Sequence, residues 1–219
     1  MMINKVKAGI SLVVLTIMFS AGICHGQIDY VVSGDQNLML AKTSTDKDSI
    51  NKALKDALAA YSNEIEFNPG SAHAYSGRGE AKFMLGDFRG AIIDCRKSTE
   101  LDPAAAEAYC ILGRAEQAVG DFRSAIREFS RAIDINPHHS EINLTYYYRG
   151  NAKSESGNDA AAILDYNKSI EIAPDASAYL KRGISKMNIV DRKGACLDWN
   201  KSKELGNQQA DEMIRKYCK

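Results

Sequence analysis

Three groups of residues in this 219-residue chain could do chemistry: five cysteines, the adjacent pair His138-His139, and the run Tyr146-Tyr147-Tyr148. Adjacent histidines point apart on most backbones, so His138 and His139 do not converge on one metal ion, and no metal site is expected. His73 has no partner pattern that would tune it as a base. Three consecutive tyrosines on a helix fan out by about 100° each, which breaks up a stacking platform for bases or sugars. The spacings HExxH, GxSxG, a phosphate loop and paired CxxC do not occur. The residues therefore point to a non-enzyme without a cofactor.

What organises these residues is a period. The four prolines, Pro69, Pro103, Pro137 and Pro174, are spaced 34, 34 and 37 residues apart. Between them recurs Y-x2-[RL]-G-x-A: a tyrosine (Tyr75, Tyr109, Tyr146, Tyr179) is followed four residues later by a glycine (Gly79, Gly113, Gly150, Gly183). Twelve residues beyond each glycine stands an alanine (Ala91, Ala125, Ala162, Ala195), and four further a bulky or soft residue (Cys95, Phe129, Tyr166, Trp199). Ser98, Ala132, Ser169 and Ser202 follow three after that. Spacings of three and four put these residues on one helical face, and each glycine leaves room for a neighbouring helix. Gly86-Asp87, Gly120-Asp121 and Asn158-Asp159 divide each of the first three units in two, the first residue ending one helix left-handed and the Asp capping the next.

On these residues the chain resembles the tetratricopeptide repeat family, whose 34-residue unit carries an aromatic, a glycine, a later alanine, a second aromatic and a closing proline at such offsets. The resemblance implies an all-α fold, a right-handed superhelical solenoid of tetratricopeptide-type helix hairpins. It also implies a protein or peptide partner held on the inner surface that the first helices line. Likeness to secreted bacterial members is closest at Gly194-Ala195-Cys196-Leu197-Asp198-Trp199 and at the ending Lys216-Tyr217-Cys218.

Departures from the pattern carry their own chemistry. The family's leucine before the glycine is Arg78, Arg149 and Arg182 in three units and Leu112 in the other. The units with Arg carry Asp94, Asp165 and Asp198 at a fixed later slot; the unit with Leu112 has Glu128 there. Each Arg is expected to bond its own unit's Asp across the hairpin, an arrangement suited to a planar guanidinium.

The expected organisation is a signal peptide over 1–26, a flexible leader over 27–47, and an N-terminal capping helix or half-repeat over 48–70. Four repeats follow over 71–206 (71–103, 104–137, 138–174, 175–206), and a C-terminal capping helix over 207–219. In the leader, Ser33-Gly34-Asp35 and Thr43-Ser44-Thr45-Asp46 read as breakers. In the last segment Ala210, Met213, Ile214 and Tyr217 form one apolar stripe, suited to lid the exposed end of a solenoid.

Residues 1–26 carry Lys5 and Lys7, an apolar run from Ala8 to Ile23 and small residues before Gln27, the pattern of a secretory signal. The segment is either cleaved or retained as an anchor, the only expected membrane contact. The expected location is thus exported, periplasmic or extracellular. Losing the segment leaves 26 basic residues against 28 acidic ones, no field for nucleic acid. Export would favour disulfides. Cys196 and Cys218 each stand eleven residues from Asn207 and so lie level across a hairpin, which makes them the expected bridge, a loop closure adding about 3 kcal/mol. Cys95 and Cys110 are nearly level about Pro103 and are either bridged or free.

Counting from the core Tyr and Gly, the partner-binding face should present Ser76, Glu80 and Phe83; Cys110, Arg114 and Gln117; Tyr147, Asn151 and Ser154; and Leu180, Ile184 and Met187. The last trio is apolar and serves either as floor for the lid helix or as anchor for a partner. The Lys and Asn constellation with which some relatives clamp a terminal carboxylate is missing at Ser76, Glu80, Cys110 and Arg114. The function implied is a non-enzymatic scaffold binding a protein or peptide at the bacterial envelope. The alternative is a carbohydrate-binding or enzyme-associated accessory module, with Tyr147, Trp199 or Phe83 stacking on sugars.

Overall fold

The computed structural model describes residues 25–218. The expected signal segment lies outside them except for His25 and Gly26, which begin the first helix. The regular elements among the described residues are helices: α1 His25–Thr43, α2 Lys47–Phe67, α3 Ala72–Met84, α4 Phe88–Leu101, α5 Ala106–Ala118, α6 Phe122–Ile135, α7 Ile142–Glu155, α8 Asp159–Ile172, α9 Ala176–Asn188, α10 Arg192–Glu204 and α11 Gln209–Tyr217. The fold class is all-α, built of helix hairpins, as the period predicts. Among the described residues no helix is long and apolar enough to cross a membrane. The chain divides into two compact units, one ending at Leu101 and one beginning at Asp102.

The first unit corrects the expectation for 27–47, which is helical through Thr43 instead of a flexible leader. Gly34 is no breaker. A side chain there would run into the ring of Tyr61, as would one at Gly77, so the two glycines admit this fully buried tyrosine between α1 and α3. Asp35 then accepts the Tyr61 hydroxyl at 2.7 Å and His73 Nε2 at 2.9 Å, joining α1 to α2 and α3. Leu38 and Ala41 are buried against Ala53, Leu54 and Ala57. The segment after 47 is therefore the second helix of a complete, longer hairpin and no isolated cap. Its sequence signal was available in Tyr30 and Gly34, at the same spacing of four that opens the later units. Asp46 caps α2, accepting the Ser49 N–H at 2.8 Å. A second hairpin, α3 with α4, completes the unit.

The second unit stacks three hairpins, α5/α6, α7/α8 and α9/α10, and lays α11 on the last. In each, the second helix aims a large ring at the glycine of the first: Phe129 at Gly113, Tyr166 at Gly150, Trp199 at Gly183. All three rings are buried. Beside them Ala125, Ala162 and Ala195 are fully covered, which lets the paired backbones approach closely.

Turns inside the four hairpins from α3 to α10 follow one recipe, a left-handed residue and then a capping side chain. Gly86, Gly120 and Gly157 have φ of 85°, 83° and 85°. Asp87, Asp121 and Asn158 then accept the N–H three residues on. In the α7/α8 hairpin the left-handed residue is thus Gly157 and the cap Asn158, one position earlier than expected from the sequence. In the last hairpin Val190 holds the slot at φ 68°, followed by the cap Asp191. A β-branched side chain there strains the backbone.

Candidate functional site

The conspicuous polar chemistry is a repeated ion cluster. Arg78 donates through Nε and Nη2 to Asp94, both at 2.8 Å. Arg149 does the same to Asp165 at 2.9 and 2.8 Å, and Arg182 to Asp198 at 2.8 and 2.6 Å. The bidentate pairing expected from the sequence is present in all three hairpins. Lys82, Lys153 and Lys186, one turn on, add a second cation to the same carboxylates at 2.7, 2.7 and 2.9 Å. Their recurrence four residues after each Arg was a signal the sequence reading left unused.

Each arginine also reaches backwards. Nη1 donates to Ser62 from Arg78, to Ser130 from Arg149 and to Asn167 from Arg182, each acceptor standing on the second helix of the preceding hairpin. Its guanidinium lies over the repeat's own tyrosine, with centroid distances of 5.6, 5.4 and 5.2 Å at Tyr75, Tyr146 and Tyr179. The cluster thus joins two helices of one hairpin and sews that hairpin to its neighbour. A shallow cleft of about 480 Å³ in the first unit lies on this side, walled by Tyr75, Arg78, Ile93, Asp94 and Lys97. Its charges are matched, Arg78 with Asp94 and Lys97 with Glu100.

The α5/α6 hairpin is built otherwise. Leu112 is buried where the others have Arg, and Glu116 and Glu128, both buried, occupy the Lys and Asp slots. Glu128 is paired from its own helix, by Arg127 Nε at 2.7 Å and Arg131 at 3.8 Å. Arg131 covers Tyr109 at 5.7 Å, taking over the stacking that Arg supplies elsewhere.

Of the residues expected to face a partner, several are already occupied. Glu80 is buried and ion-paired with Lys42 at 2.8 Å, so α1 covers it. Leu180 is buried, and Ile184 and Met187 pack with it against Met213, Ile214 and Tyr217 of α11. Of the two alternatives for that trio, the structure shows the lid floor. Phe83 packs on Phe88, with ring centroids 5.5 Å apart, and Ser76 donates to the His73 carbonyl.

On α5 and α7 a half-buried polar and aromatic patch remains. Arg114 lies 5.2 Å over the ring of Tyr148, which stacks in turn on Phe129. Tyr147 packs edge-on to Tyr148 and hydrogen-bonds Asn151, and its burial raises its pKa. Asn151 Oδ1 accepts the Tyr166 hydroxyl at 2.8 Å, so this residue orients tyrosines from both sides. Gln117 and Ser154 are also half-buried, the latter donating to Asp159 at 2.7 Å. Tyr146 lies apart under Arg149, whereas Tyr147 and Tyr148 meet edge-on and offer no flat stacking platform.

Cys110 borders this patch. Thr145 gives its hydroxyl proton to the Glu141 carbonyl at 3.3 Å, so it accepts from the Cys110 thiol at 3.2 Å. His139 Nδ1 accepts the Glu141 N–H, leaving Nε2 to donate to the same Thr145 oxygen. Burial pushes the Cys110 thiol up to about 11, so at neutral pH it is no nucleophile. His138 is exposed and points elsewhere. Cys95 and Cys110 are free thiols, and Cys196 is bonded to Cys218.

A sequence profile described as tetratricopeptide repeat matches residues 112–177. No curated protein sequence matches the chain. Among solved structures, the fold is similar to the crystal structure of MamA, with a TM-score of 0.65 and 26% identity over 80% of this chain and 99% of that one. YrrB, described as a tetratricopeptide repeat protein with an unusual peptide-binding site, superposes with a TM-score of 0.66 at 19% identity, over 77% and 86% of the two chains. PilF of Pseudomonas aeruginosa does so with a TM-score of 0.68 at 15% identity, over 82% and 79%. Helix hairpins in which a ring closes on a glycine, repeating at the proline period, thus carry the fold of tetratricopeptide repeat proteins, and residues 112–177 match that family's profile.

Proposed function

We propose that this protein is a non-enzymatic scaffold that binds a protein or peptide on the α5/α7 face of its second unit and works at the bacterial cell envelope. A tetratricopeptide repeat fold suggests a protein interaction scaffold; the particular face and location are the proposal. One observation carries it: Arg114 is held over the ring of Tyr148 with Tyr147 edge-on beside it, on a half-buried polar and aromatic patch of α5 and α7. A stacked guanidinium offers planar donors to a partner's carboxylate or carbonyl groups, and an oriented tyrosine offers contact area at small entropic cost. Glu80, Leu180, Ile184 and Met187 are not part of the proposed surface.

The envelope location rests on the signal-like pattern of residues 1–26, and sequencing the N-terminus of the mature protein tests it. The binding face is tested by crosslinking from envelope fractions with wild type, Arg114→Glu and Tyr147→Ala. A partner captured by the wild type and lost by both variants supports the reading, and equal capture by all three rejects it. The accessory-module reading loses two of its three stacking residues, since Trp199 is fully buried and Phe83 is packed on Phe88.

A further inference from the structure

The lid helix has weak means of its own for staying in place. It is nine residues long, and its N-terminus is held by Asn207 Oδ1 accepting the Gln209 N–H at 3.0 Å, the Gln208 side chain itself making no capping bond. Isolated helices of this length are marginal in water. It follows Gly206, whose φ of 92° marks a left-handed joint between α10 and the lid. Beneath it lies an apolar face in which Leu180 and Trp199 are buried and Ile184 and Met187 partly so. Only Ala210 of the lid is fully buried; Met213, Ile214 and Tyr217 remain partly exposed. Its polar ties include an exposed ion pair, Lys203 with Asp211, and a bond from Arg192 Nε to the Tyr217 carbonyl.

The covalent tie sits at the far end. Cys218 follows the last residue of α11 and is bonded to Cys196 on α10, with both cysteines partly accessible. A crosslink at the free tip of a short helix restrains the whole segment from Gly206 onwards.

We propose that the Cys196–Cys218 bond is a redox latch, whose reduction releases α11 and uncovers the apolar face of the α9/α10 hairpin around Ile184, Met187 and Trp199. A dithiol supplies the electrons. Its thiolate attacks one sulfur of the bridge, forming a mixed disulfide and expelling the other cysteine as a thiolate, which takes up a proton. The second thiol of the reagent then closes on the first, freeing the second cysteine. Two electrons and two protons pass to the protein, and the dithiol becomes a cyclic disulfide. Opening a loop whose ends are 22 residues apart shifts the balance between seated and released lid by on the order of a hundredfold.

Hydrogen exchange on the purified protein, with and without dithiothreitol, decides the matter, with a count of thiols to confirm reduction. The expected result is a rise of two thiols per chain, loss of protection for amides 209–217, retained protection for 176–204, and a red shift in emission from Trp199, the chain's one tryptophan. Cys218→Ser should show the released state without reductant. Unchanged protection of 209–217 after a confirmed rise of two thiols overturns the latch. So does joint loss over 176–217, which would make the bond a stabiliser of the whole hairpin, and so does a bridge that dithiothreitol fails to open in the native protein.

Discussion

The α7/α8 and α5/α6 hairpins have the same Tyr-to-Gly spacing in the first helix, the same glycine-on-ring core and opposite electrostatics at one layer. In α7/α8 a buried Asp165 receives Arg149 and Lys153 from the facing helix, and Arg149 also donates to Ser130 of the preceding hairpin. In α5/α6 the same layer holds Leu112 and two buried glutamates, and Glu128 finds its cations on its own helix. The core of a hairpin is thus indifferent to this layer, which instead governs how one hairpin is joined to the next. Buried ion clusters give little net stability over apolar replacements but are costly to break, so they act chiefly as fasteners of register.

The largest expected effect breaks that comparison. Asp165→Ala leaves two cations facing each other in a mostly buried site and should cost about 3 kcal/mol in denaturant unfolding. Glu128→Ala, whose partners Arg127 and Arg131 are more than half exposed, should cost about 1 kcal/mol or less. Equal losses would remove the distinction between the two layers.

Next in size, Gly113→Ala and Gly150→Ala test whether the cores are indeed alike. An added methyl would press on Phe129 in one and Tyr166 in the other, and both variants should lose about 2 kcal/mol by thermal unfolding. A smaller change sharpens the picture at the turns. Val190→Gly relieves a left-handed valine where the α3/α4, α5/α6 and α7/α8 hairpins use glycine, and should gain about 1 kcal/mol.

The smallest effect concerns the inserted loop after α6. Burial lowers the pKa of His139 in the folded protein below its usual value. The unfolded chain then binds the proton more readily, so the associated stability is present above the ordinary histidine pKa and is lost as pH falls from there through the folded value. His139→Asn should flatten the fall in melting temperature between pH 7 and 5; an unchanged slope would place the acid sensitivity elsewhere.

Much of this was legible along the chain. Pro69, Pro103, Pro137 and Pro174 marked the hairpin period, the Tyr and Gly spacing marked the packed faces, and the matched Arg and Asp slots marked the pairing across each hairpin. These signals are legible because a helix turns residues three and four apart onto one face, so partners within a hairpin keep constant offsets. The same reasoning failed at Gly34. In a segment of weak amphipathic pattern a glycine beside Ser33 and Asp35 reads as a breaker, and what makes it useful is Tyr61, on another helix. Glu80 failed likewise, because its partner Lys42 belongs to a segment that was not expected to be helical.

The sequence by itself determined that the four repeat hairpins form, which arginine meets which aspartate across them, and that Cys196 meets Cys218, because these follow from local propensity and fixed spacing. Only the tertiary structure decided which of the candidate faces stay open. Burial depends on what neighbouring hairpins and the terminal helix lay over a residue, and no offset within a repeat encodes that. Hence Glu80 and Leu180 are covered, while Arg114 and Tyr147 are held in place and partly open to solvent.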